Sequence, residues 1–193
     1  MNRLRSIFCK ALALLALGLL LPQRENSTTL AQLSLSQLTS AASAIAVATC
    51  TGSESLWRDG EVWTVSSFHL EDVWKGELPQ ELQVWMLGGR TGPVTSYVPG
   101  APRFRPGEET VLFLEPTRSG LLSITGWGEG TFRIRHDPRT GKSRVTQDSA
   151  SVPAFDPAAR RFRASGVRDW PLGRLKERIL AAEVQKHSPG LRQ

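Results

Sequence analysis

Cysteine is scarce, with two in 193 residues, which excludes a disulfide-dense fold. Histidine is nearly as scarce, with three. No His-Glu-x-x-His or Cys-x-x-Cys pair occurs, so spacing gives no zinc site. Phosphate-binding glycine loops and the Gly-x-Ser-x-Gly nucleophile turn are missing as well. No catalytic residue, metal or cofactor is therefore assigned. Long apolar runs are also missing. The longest, Ala11 to Leu21, has 11 residues, against the roughly 20 that a spanning helix needs. What remains is 40 % hydrophobic and 22 % charged, the balance of a globular chain rather than a collagenous or disordered one.

That one apolar run has a reading of its own. Arg3, Arg5 and Lys10 precede it, Pro22 ends it, and Thr29-Leu30-Ala31 supplies small residues before a break. Residues 1–31 read as an export signal, cut after Ala31 or else kept as an uncleaved membrane tether, which places the protein in the periplasm or outside the cell. The cut removes Cys9. Cys50 remains alone in Ile45-Ala46-Val47-Ala48-Thr49-Cys50, where a buried small hydrophobe is expected. The remaining chain then divides into a barrel domain, 32–147, and an extended segment with a helix, 148–193.

Periodicity supplies the elements. Ser34-Leu35-Ser36-Gln37 is a capping box opening a short helix over 34–43. A strand over 44–52 ends at Gly52. Glu61 to Lys75 is the longest strand, and its apolar phase slips at Ser66-Ser67, which predicts a bulge there. Leu82, Val84 and Met86 alternate in a third strand. Val111-Leu112-Phe113-Leu114 is apolar on both faces, as in a covered central strand. Strands over 121–125, 131–136 and 142–147 follow. Residues 148–169 lack periodicity and read as an extended surface segment. A helix over 171–186 carries Leu172, Leu175, Ile179 and Ala182 on one stripe. Short strands, a bulged long strand and no βαβ spacing predict a mainly β fold, a small, partly closed OB-like barrel with an N-terminal and a C-terminal helix.

Several short runs carry a resemblance. They are Ser55-x-Trp57, Val62-Trp63-Thr64, Val73-Trp74-Lys75-Gly76, Gly88-Gly89, Val98-Pro99-Gly100-x-Pro102-x-Phe104, Pro106-Gly107-Glu108 and Val111 to Leu114. Gly126, Gly130 and Phe132 continue the pattern, and the Pro171-Leu172-x-x-Leu175 to Ile179 helix fits it. Over about residues 35–135 the chain resembles a family of uncharacterised exported bacterial proteins with an OB-type barrel. Residues 45–86 are also similar to the netrin-like domain of tissue inhibitors of metalloproteinases. Those inhibitors hold the protease zinc with an N-terminal Cys, whereas Cys50 is internal. The resemblance implies a fold and not inhibition.

Three regions could meet a ligand. The 22-residue stretch Gly88 to Glu109 is long for a loop and holds Arg90, the only tyrosine, Tyr97, and Arg103, Phe104 and Arg105. It reads either as a plug in which Tyr97, Val98 and Phe104 close one barrel end, or as the contact for a protein partner. Arg133, Arg135, Lys142 and Arg144 form a basic hairpin, either a solvated edge or an anion patch for a polyanion or the envelope surface. No aromatics interleave with it, so nucleic acid is not expected. His69, Glu71 and Arg90 are the residues an unrecognised enzyme would use. Trp63 and Trp85 read as core, with Trp74 and Trp85 as the exposed pair a sugar would stack on. A non-enzymatic binding protein is the leading reading.

Charge is unevenly spread. Residues 32–130 hold six basic and eleven acidic residues, a net of −5, and residues 131–193 hold fourteen and six, a net of +8. The split predicts that the C-terminal third docks on an acidic barrel.

Overall fold

A computed structural model describes residues 33–187, apart from 152, 157–159 and 165. The expected signal, Cys9 and the cut after Ala31 lie outside the described residues. Strands take 48 % of the structure and helices 19 %, so strand pairing sets the frame. Helix α1 (Leu35–Ala41) opens on the expected capping box. The Gln37 N–H donates to Ser34 Oγ at 3.3 Å, and the Ser34 N–H donates to Gln37 Oε1 at 2.9 Å. Then come β1 (Ala44–Arg58), β2 (Glu61–Lys75), β3 (Glu81–Leu87), β4 (Gly89–Thr91), β5 (Val94–Ser96), β6 (Glu109–Pro116), β7 (Leu122–Ile124), β8 (Thr131–His136) and β9 (Ser143–Gln147). The chain ends with β10 (Pro153–Asp156), β11 (Arg161–Ala164), β12 (Trp170–Pro171) and helix α2 (Leu172–His187).

The main sheet is antiparallel, in the order β12-β9-β8-β6-β1-β2-β3, with β7 paired to β6. It bends until β7 approaches β3, where Ser123 Oγ lies 3.4 Å from Met86 Sδ. No ladder joins those two strands, so the barrel is only partly closed. β4 and β5 make a separate hairpin, as do β10 and β11.

Bulges produce the bend. The β1–β2 register slips between Ile45 and Ala46, Val47 and Ala48, and Cys50 and Gly52. The first two slips leave Trp74 and Glu71 of β2 without a partner, and the third does the same to Thr51 of β1. An extra residue on one strand bends it and sharpens its twist. The bulge expected at Ser66-Ser67 is thus on the neighbouring strand, opposite Ser67 and Phe68. The β2–β3 register runs unbroken from Trp63 to His69. The apparent phase slip arises because Val65 is buried too, on the face opposite Phe68 and Leu70, against its partner Trp85.

The two faces of β1 and β6 bury into two clusters. Ala44, Ala46, Ala48 and Cys50 face the barrel interior with Phe68, Leu112 and Leu114. Ile45, Val47, Val111 and Phe113 face outward, under Leu38 of α1 and Leu175 and Ile179 of α2. Small residues inside and branched ones outside suit a strand that lines a narrow barrel and supports two helices. Val111 to Leu114 are fully buried, as the double-sided apolar run predicts.

Several expectations need correction. β1 does not stop at Gly52 but continues to Arg58, because Gly52 sits just after a bulge, inside the strand. The 88–109 stretch begins with the β4–β5 hairpin. The 148–169 segment contains a 3-10 turn and the β10–β11 hairpin, and it buries Ala150 and Val167. Pro171 closes β12, and α2 starts one residue later. Trp74 is buried, because its bulge turns it toward the helices; its Nε1 donates to Asp72 at 2.8 Å. The exposed tryptophans are instead Trp57 and Trp127, so Trp74 and Trp85 make no sugar platform.

Candidate functional site

A groove of about 670 Å³ opens where β6 begins. Ser53 and Ser55 of β1 and Thr64 of β2 line one side. These three hydroxyls share a strand face, since Ser53 pairs with Ser66 and Ser55 with Thr64 in register. Ser55 Oγ and Thr64 Oγ1 are 3.0 Å apart, and Thr64 also donates to the Gly88 carbonyl at 2.6 Å. Arg103, Phe104 and Arg105 enter from the loop, and Arg133, Ile134 and Arg135 from β8. Glu108 and Glu109 complete the lining.

Two residue sets read separately in the sequence therefore meet here. Within the groove their roles differ. Phe104 is 5 % exposed and stands edge-on to Phe68, with ring centroids 5.0 Å apart, so it plugs the barrel. Arg133 organises the walls. Its guanidinium donates to Asp148 through Nε at 2.9 Å and Nη2 at 2.8 Å, to Glu108 through Nη1 at 2.5 Å, and to the Arg103 carbonyl at 2.8 Å. It also lies 4.7 Å from the Phe104 ring centre. Burial opposes its charge, but Asp148 and Glu108 overcome that and raise its pKa further. Four of its five N–H donors are so placed, which leaves little for a ligand. Arg103, Arg105 and Arg135 are exposed, and their side chains bond to no described residue.

The other candidates lie elsewhere. Tyr97 is 77 % exposed and plugs nothing, and neither it nor Arg90 lines the groove. Lys142 and Arg144 line a second groove of about 430 Å³ beside Pro171, Leu172 and Gly173 at the start of α2. Arg144 faces Arg135 across the β8–β9 ladder and is neutralised by Asp169, to which its Nε donates at 2.5 Å. The basic hairpin is thus not one patch. Arg133 and Arg144 are spent internally, and the residues part between two grooves. His69 Nδ1 bonds to Glu81 at 2.6 Å, and Thr49 donates to Glu71. Neither His69 nor Glu71 lines either groove. Among the described residues no His, Cys, Asp or Glu cluster could hold a metal ion. Cys50 is buried, and burial pushes its thiol pKa up.

Ser53, Ser55, Thr64, Glu108 and Asp148 are the site residues that sequence reading missed. The hydroxyl alternation at Ser53 and Ser55 was the available signal, hidden because β1 was expected to end before it. No family model matches the chain, and no curated protein matches it.

Proposed function

We propose that the chain is an exported, non-enzymatic binding protein that receives a protein partner at the groove between the 88–109 stretch and β8. The observation that carries this reading is the convergence of Arg103, Arg105 and Arg135, each exposed and without a bond to a described residue, over a hydroxyl-lined wall. Arginines are frequent anchors of protein interfaces. The walls are pre-set by Arg133, so binding does not have to order them. The resemblance to exported bacterial proteins and the apolar run behind Arg3, Arg5 and Lys10 support export. No described helix is long and apolar enough to cross a membrane.

The test is a pull-down from envelope extract with the wild-type chain and an Arg103→Ala/Arg105→Ala variant. Partners retained by the wild type and lost by the variant are expected. The same proteins on both would remove this groove from the function.

A further inference from the structure

We propose that the partner enters this groove as an extended acidic strand, adding to the open edge of β1 between Gly52 and Arg58. The proposal rests on the functional reading above and gives it a binding mode and a ligand chemistry.

The open edge follows from unequal strand lengths. β2 pairs with β1 along almost its whole length, from Ile45 to Arg58. β6 pairs with it only from Ala44 to Thr49. Cys50 makes the last bonds on that side, its N–H donating to the Glu108 carbonyl at 2.9 Å and its carbonyl accepting from Gly107 at 2.8 Å. The chain then leaves the sheet through a turn in which the Glu108 N–H donates to the Arg105 carbonyl at 3.0 Å. From Gly52 onward no described strand occupies that edge. On the far side, β8 runs past its Arg133–Thr110 pair to His136. Continued backward past Gly107 along β1, the lane that β6 would fill holds no described strand. The groove lies in that lane, with Ser53 and Ser55 on one wall and Ile134 and Arg135 on the other.

The size fits a short strand. A rise of about 3.3 Å, a lane of about 4.8 Å and a sheet thickness of about 10 Å give each extended residue roughly 160 Å³. A groove of about 670 Å³ then takes about four residues on that measure. An exposed strand edge is a ready template for another chain, and folds normally cover or blunt it. Peptides that add to such an edge gain affinity from backbone bonds and specificity from alternate side chains.

Charge chooses the occupant. Four arginines line the groove against two glutamates, a net of +2. Both glutamates are engaged, Glu108 with Arg133 and Glu109 with His136, each at 2.5 Å. Arg103, Arg105 and Arg135 are left for the ligand. Arg103 and Arg105 come from the loop before β6 and Arg135 from β8, so an acidic strand in the groove meets cations from both sides and a basic strand would meet like charge. The open backbone edge between Gly52 and Arg58 suits a peptide, whose own N–H and C=O groups can pair with it in register, better than a sulfated polymer, which has no such regular row.

Binding of the full chain to a peptide of alternating Glu and Thr is the experiment. It is compared with the Lys–Thr peptide, with Glu–Thr peptides N-methylated at every second amide in either phase, and with dextran sulfate. Amide hydrogen exchange reports on β1. The Glu–Thr peptide is expected to bind and the Lys–Thr peptide not. Methylation in one phase should cost at least tenfold in affinity, and in the other phase little. Amides between Gly52 and Arg58 should exchange more slowly in the complex. Arg135→Glu, which places a carboxylate opposite Arg144 across the β8–β9 ladder, should weaken binding at least tenfold without lowering the thermal midpoint. Equal binding of both methylated peptides and of dextran sulfate would overturn strand addition and leave a simple anion groove. A dimer that protects Gly52 to Arg58 without peptide would assign the edge to a second copy and overturn the proposal. Failure of every peptide, while the Arg103→Ala/Arg105→Ala variant still loses its extract partners, would sink the strand mode alone. Failure of both sinks the functional reading too.

Discussion

Arg133 decides the shape of the groove more than any other residue. It joins the loop carbonyl of Arg103, the β6 entry through Glu108 and the turn after β9 through Asp148. Its side chain is 23 % exposed, and those of Glu108 and Asp148 are 35 % and 26 % exposed. Removing one partner of a fully buried pair costs about 3–5 kcal/mol, because the remaining charge is stranded. Partial exposure lowers that figure, so Arg133→Met should cost about 2 kcal/mol in urea unfolding. Adding Glu108→Gln and Asp148→Asn to that variant should recover part of the loss, since the two negative charges that face each other without Arg133 are then gone. No loss in the single variant would mean that solvent already satisfies the carboxylates. The sequence marked Arg133 as basic but not as spent. Its partners lie 25 and 15 residues away along the chain, and periodicity has no view of such contacts.

Elements were legible where both strand faces or a helix stripe left a pattern. Val111 to Leu114 and the α2 stripe at Leu175 and Ile179 are buried as their spacing requires. Legibility failed where a residue changes phase. Trp74 looked solvent-facing by alternation, and a bulge turned it inward. Gly52 looked like a strand end, and a bulge carried the strand past it. Bulges depend on the partner strand's register, which one strand's pattern does not contain. The β4–β5 hairpin was hidden differently, because its strands have three residues each, too few to show alternation. Its docking instead rests on Gly89, whose φ is +141°. A Cβ there would stand 2.3 Å from Ser55 Oγ and 2.4 Å from Thr64 Oγ1. Both the backbone angle and the contact oppose any side chain. Gly89→Ala should cost about 2–3 kcal/mol and loosen the hairpin from β1 and β2. Hydrogen exchange of the Thr91 and Ser96 amides would show it. Unchanged protection with unchanged stability would mean that the hydroxyl pair moves aside at no cost.

At the scale of the whole molecule, the acidic barrel and the basic C-terminal third are joined by specific pairs. Lys176 Nζ of α2 donates to Asp72 of β2 at 2.7 Å. A reversed pair, Lys75 with Glu183 at 2.8 Å, adds a second link, and Lys75 also donates to the Thr39 carbonyl of α1 at 2.6 Å. Asp72 is held below the usual carboxylate range by the Lys176 hydrogen bond first, with the Trp74 N–H helping against burial. A carboxylate with a depressed folded pKa stabilises above its unfolded value, about 3.9, and that stability is lost as pH falls through the folded pKa. Glu129 has the opposite sign. Burial raises its pKa, partly offset by the Leu33 N–H. It therefore works against the fold as pH rises from about 4.3 through its folded pKa. Midpoints of Asp72→Asn and wild type should converge as pH falls through the folded pKa of Asp72 and separate above it, the variant lower. The Asp72 side chain is 48 % exposed, so the gap at neutral pH should be below about 1 kcal/mol. Glu129→Gln should also converge with wild type in acid and separate above it, the variant higher. Acid also neutralises the barrel's carboxylates while leaving the C-terminal basic residues charged, so α2 loses its attraction before the strands lose their ladders. In hydrogen exchange near pH 3, amides of α2 should therefore open ahead of those of β1 and β6. Simultaneous opening of helix and strands would show that the buried Leu175 and Ile179 hold α2 on the sheet without help from the charges.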